Sequence, residues 1–110
     1  MKNQSAYLAA IRINDGLLEI YKKINHNMTL SDEAKVRISL YEIASTLRTE
    51  LNQHGALTAE RQSQLDGVQG ETEHAETAAK GGKRQDVWAA FMRAHGRINN
   101  VIGDVMQEMG

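Results

Sequence analysis

From residue 84 to residue 109 apolar side chains recur at alternating spacings of three and four, the mark of a helix with one dry side and one wet side. Val87, Phe91, Ala94, Ile98, Val101 and Val105 form the middle of this stripe, and Trp88, His95, Ile102 and Met109 widen it on one flank. The first set alone would suit a two-stranded coiled coil, whereas the added width describes a helix facing the core of a bundle. Val87, Trp88, Phe91, Ile98, Val101, Ile102 and Val105 are therefore the expected core of the long last helix.

Two further stretches carry helical periodicity. Over 5–27, Tyr7, Ala10, Asn14, Leu17, Tyr21, Ile24 and Met28 fall on one repeat, with Ile11 and Leu18 on one flank and Ile13 and Ile20 on the other. Ser5 is placed to cap this helix, and Asn25, His26, Asn27 and Thr29 mark its exit. Over 32–54 the buried stripe reads Val36, Leu40, Ile43, Ala44, Leu47 and Leu51, with Tyr41 at its edge. Ser31 is its expected N-cap, and Gly55 is its expected left-handed terminator. The short link between the two stretches predicts an antiparallel helical hairpin.

Residues 56–82 carry a weaker pattern. Thr58 can cap a helix, but only Leu65 and Val68 are large apolar residues, followed by Ala75, Ala78 and Ala79. Gly67 and Gly70 each cost roughly 1 kcal/mol relative to alanine inside a helix. The pattern predicts a short helix over 59–66, a break, and a second over 71–80, with 67–82 the most mobile part of the chain. Gly81 and Gly82 separate this segment from the last helix. The expected fold is all-α: a single domain over 1–110, a three- or four-helix bundle built from the N-terminal hairpin and the long C-terminal helix.

Composition agrees with a folded helical chain. The 110 residues contain no proline and no cysteine, 25% are charged, and the formal charge is −1. Without proline the commonest helix breaker is missing, and without cysteine there is no disulfide, thiolate nucleophile or cysteine metal site. The longest apolar run near the start, residues 6–11, is too short for a membrane span or a secretory signal core. This predicts a cytoplasmic protein with no membrane partner. Residues 56–82 hold two basic against five acidic side chains, and nowhere does a basic stripe appear. Nucleic acid is thus an unfavoured partner, although Lys80, Lys83 and Arg84 could touch one phosphate.

Candidate chemistry is sparse. Glu71 and His74 have the Glu-x-x-His spacing of di-iron bundles, but the second pair is lacking, so no metal site is expected. Residues 81–84 resemble part of a phosphate loop, yet Thr77 stands where glycine is wanted and Arg84 where Ser or Thr is wanted. Tyr7, Asn14, Tyr21 and His95 are the polar groups that could share one face, and they do not by themselves define a reaction. No catalytic residue and no cofactor is predicted.

The other side of the last helix is more informative. Gly96 and Gly103 lie on one face with Met92, Asn99 and Met106. Glycine is unfavourable inside a helix, so either another backbone approaches closely or the positions have drifted on a wet face. Flexible thioethers beside them suit a binding surface. Asn14, an amide within the apolar face of the first helix, can set register or oligomer state, with His95 as its candidate counterpart. These features point to a non-enzymatic interaction module: an adaptor, chaperone-like protein or inhibitor that binds another protein and forms a homodimer. A DNA-binding regulator encoded by a phage or mobile element is the alternative, as is a secreted helical subunit of a bacterial secretion system. In length, helical content and its single Trp the chain resembles small secreted helical proteins of the WXG type. Their Trp-x-Gly turn lies between helices, whereas Trp88 is followed by Ala89 and Ala90 within one, and no family is assigned.

Overall fold

The computed structural model describes residues 4–109, with side chains through residue 108, as four helices: α1 (Gln4–Tyr21), α2 (Leu30–Gln53), α3 (Ala59–Lys80) and α4 (Arg84–Met109). The protein is an all-α bundle measuring 48 × 24 × 18 Å. α1 and α3 each pack against α2 and α4, α2 also meets α4 across the diagonal, and α1 and α3 do not touch. Side chains from all four helices join in one core. The flanking residue Met109 has its side chain outside the described residues.

α1 differs from its expected limits and phase. It ends at Tyr21, not near residue 27, because Asn25 offers the backbone another arrangement: its Oδ1 accepts from the Asn27 N–H at 2.8 Å and its Nδ2 donates to the Lys23 carbonyl. Such local bonds compete with helix continuation. Ser5 lies inside the helix and is not its cap. The buried line runs through Ala6, Ala9, Ala10, Ile13 and Leu17, which turns Asn14 from the centre of the face to its half-buried edge and leaves Leu18 and Tyr21 exposed.

α2 starts two residues before the expected Asp32. Its cap is Thr29, not Ser31: the Thr29 hydroxyl accepts from the Asp32 N–H at 3.1 Å while the Asp32 carboxylate accepts from the Thr29 N–H at 3.3 Å, a reciprocal capping box. Termination follows the expected device. Gly55 takes φ 66°, and the Ala56 N–H donates to the Leu51 carbonyl at 2.7 Å, closing a Schellman turn. Gly82, at φ 71°, ends α3 in the same way.

α3 corrects the expected break. It is one continuous helix capped by Thr58, with Leu65, Val68, Thr72, Ala75 and Ala78 buried. Its small side chains let it lie close to α2 and α4, and packing supplies what propensity lacks. Gly67 has a reason: the Arg97 guanidinium of α4 crosses the space that a Cβ would fill. Gly70 has open space around it. Gly70→Ala should therefore raise stability by about 1 kcal/mol, with a smaller gain for Gly67→Ala, since Arg97 must move aside. Thermal melts of the two variants check this; equal gains would show that Arg97 does not rest on Gly67. The same packing replaces mobility over 67–82 with an expectation of slow amide exchange at the buried positions of α3.

In α4, Val87, Phe91, Ile98, Val101, Ile102 and Val105 are buried as the stripe implies. Trp88 is the correction. It is only half-buried and stacks on His26 of the α1–α2 connection, ring centroids 4.5 Å apart and 25° between planes. The indole thus pins a loop and does not fill the core.

Candidate functional site

The helix seams differ in chemistry. Arg12 bridges α1 to Glu50 of α2 at 3.1 Å, while Arg37 reaches Glu76 at 3.5 Å and Arg48 pairs with Asp66 between α2 and α3. Between α3 and α4, Arg93 meets Glu71 at 2.9 Å and Arg61 meets both Asp104 and Glu108. Among the described residues, the α1–α4 seam has no ion pair.

Arg61 is the most deeply placed of these cations. Its side chain is 6% exposed and donates to Asp104 at 2.8 Å, to Glu108 at 2.7 Å and to the Ala56 carbonyl at 2.7 Å. Burial opposes its charge, but the hydrogen bonds and charges of Glu108 and Asp104 outweigh that, and its pKa is raised. It joins α3, α4 and the α2–α3 turn. The sequence contained a signal for this: acids four residues apart on α4, opposite an arginine in the first turn of α3.

The α1–α4 seam is closed by rings and apolar side chains. Tyr21 lies against His95, ring centroids 4.8 Å apart. That contact fixes which flank of each helix borders the other. On α1 it is the flank carrying Tyr7, Ile11, Asn14, Leu18 and Tyr21; on α4 it is the flank of His95, followed outward by Met92, Asn99 and Met106 and then Gly96 and Gly103. Asn14 and His95 thus border the same seam. None of these residues carries a full charge at neutral pH, in a chain that is 25% charged.

Exposure marks the outer part as a surface. Leu18 is 50% exposed, Tyr21 45% and Met106 36%; Asn99 and Gly103 are also exposed, while Met92 and Gly96 are half-buried. Among the described residues nothing lies within 4 Å of a Cβ at Gly96 or Gly103, so none of them makes use of either missing side chain. The α1 half of the face was missed in the sequence, because Ile11 and Leu18 read there as a flank of the core.

Burial lowers the pKa of His95. The folded state then binds fewer protons than the unfolded state between that lowered value and about 6.5, so stability is full above this window and falls as pH drops through it. Melting temperature should decline from about pH 7 to pH 5, and His95→Gln should flatten part of the decline. An unchanged slope in that variant would place the titration elsewhere.

Other candidates are committed otherwise. The Glu71 carboxylate accepts from Arg93 and lies 3.9 Å from Arg97, while His74 is exposed. No group of three or more metal-ligating side chains occurs among the described residues. Lys80, Lys83 and Arg84 line a cleft of about 240 Å³ at one tip of the bundle, over Met28, Leu30 and Val87. Among the described residues, no helix is long and apolar enough to cross a membrane. No protein-family model matches the chain, and no curated protein or solved structure shows detectable similarity to it.

Proposed function

We propose that this chain is a non-catalytic helical module that acts by binding another protein, and that the α1–α4 face is its binding surface. One observation supports the reading above the rest: ion pairs cross the other three seams, while the described residues that border this one include no charged side chain and present half-exposed Leu18, Tyr21 and Met106. Charges are costly to desolvate, so the centres of protein interfaces are depleted in them and enriched in aromatic residues and methionine. Met92 and Met106 add side chains that adapt to a partner's shape. Nucleic acid fits this face poorly, since none of its described residues is a cation that could replace phosphate counterions. Its one histidine is packed against Tyr21.

Affinity capture from an extract of the native host, followed by mass spectrometry, tests the reading. A specific protein should be retained by the wild type and by Ser45→Asp, a change on exposed α2 surface. Leu18→Asp and Met92→Asp should lose it. Retention of the same proteins by all four chains would remove the α1–α4 face from consideration.

A further inference from the structure

We propose that the α4 half of this face binds a second copy of the chain, the two α4 helices antiparallel about a two-fold axis through Asn99. The inference rests on the face being an interface and adds the identity of an occupant. α4 carries two three-four repeats side by side. One is filled by its own core; the other, Ala89, Met92, Gly96, Asn99, Gly103 and Met106, borders solvent.

The order of the outer repeat is self-complementary. Read from Asn99 in either direction, a glycine comes first and a methionine second, with Met92 and Met106 each seven residues away. Antiparallel pairing of two copies sets Met92 against Met106 of the second copy and Gly96 against its Gly103, twice over. A two-fold interface requires this property, since each patch must fit itself. Opposed glycines permit the axes to approach more closely than the usual 8–10 Å, with the methionines filling the space on either side.

Charge at the border fits the same register. Arg93 borders the strip on its α3 side six residues before the centre, and Asp104 lies one row further towards α3 five residues after it. Across the two-fold axis the two stand at matching heights, and the long Arg93 side chain of each copy can extend towards Asp104 of the other. Their existing pairs use Arg93 Nε and Asp104 Oδ2, and the side chains remain 49% and 59% exposed. At the axis the two Asn99 amides can each donate to the other's carbonyl oxygen. A polar pair at this place fixes register at some cost in stability.

These 110 residues include no cysteine, which makes a direct test clean. Sedimentation velocity from low to high micromolar concentration should show a monomer–dimer equilibrium for the wild type. Asn99→Cys should form a disulfide-linked dimer under mild oxidation. Gln85→Cys should not, because antiparallel pairing holds its two sulfurs about 42 Å apart. Gly96→Arg and, as an independent variant, Met106→Lys should weaken association by more than about a hundredfold while keeping helicity and a cooperative melt. A wild type that stays monomeric overturns the proposal, as does a dimer that survives both variants or cross-links equally at residues 85 and 99. A monomeric wild type whose captured host protein is lost on Met92→Asp removes the second copy but leaves the face an interface, so the two failures are distinguishable.

Discussion

Ile98→Asp should leave the chain unfolded at room temperature, with helical circular dichroism lost and no cooperative melt. Ile98 is fully buried in the middle of α4 within the common core. Its burial contributes about 1.5–3 kcal/mol, and a carboxylate put there without a partner adds a penalty of several more. Domains of this kind hold only about 5–15 kcal/mol in total. Asn100→Asp, two residues on and exposed, is the control and should melt close to the wild type. If Ile98→Asp kept native helicity and a cooperative transition, the core stripe would be assigned to the wrong face of α4.

Arg61→Met is expected to cost about 2–3 kcal/mol, far more than any other ion pair among the described residues, since hydrogen bonds to charged groups contribute about 1.5–3 kcal/mol each. Part of the loss is recovered because Asp104 and Glu108 are half-exposed and can return to water. The Ala56 carbonyl loses its arginine donor, and α3 loses its tie to the end of α4. Arg61→Lys keeps the charge but not the three-way geometry, and should restore only a fraction. Urea unfolding with an unchanged m-value reads the difference. A loss below about 0.5 kcal/mol would reduce this cluster to the standing of ordinary surface pairs.

The two long apolar patterns were legible because each has one dry stripe. In α4 the phase of Phe91, Ile98 and Val105 admits one orientation, and the glycines at 55 and 82 stop their helices by a local rule that needs no tertiary context. α1 was ambiguous for the opposite reason. It is apolar on nearly three sides, so which side is buried depends on where α2 and α4 lie, and Ile13 prevails over Asn14 only once they are in place. The start of α2 was readable but misplaced: Thr29 and Asp32 have capping-box spacing, and Ser31 is a cap residue by type alone.

α3 was illegible for an energetic reason. Its helix propensity is poor at Gly67 and Gly70, and what holds it together lies on other elements: Arg97 over Gly67, Arg93 on Glu71, Asp104 and Glu108 on Arg61. Sequence periodicity counts large apolar residues and undercounts small ones that gain stability by close approach. The candidate site divides along the same line. Met92, Gly96, Asn99, Gly103 and Met106 were visible as an odd uncharged strip on one helix, whereas Ile11, Leu18 and Tyr21 joined it only when α1 turned about its axis.

The charge-free α1–α4 face as a binding surface is the central claim, and methionine methyl NMR addresses it most directly. Met92 and Met106 sit on the face, while Met28 is buried at the α1–α2 connection beside Val87 and the α3–α4 turn. Raising the protein concentration, or adding a captured partner, should shift or broaden the Met92 and Met106 methyl signals together and leave Met28 in place. Movement of Met28 alone, or no movement of Met92 and Met106 at high micromolar concentration and with every captured protein, would contradict the claim.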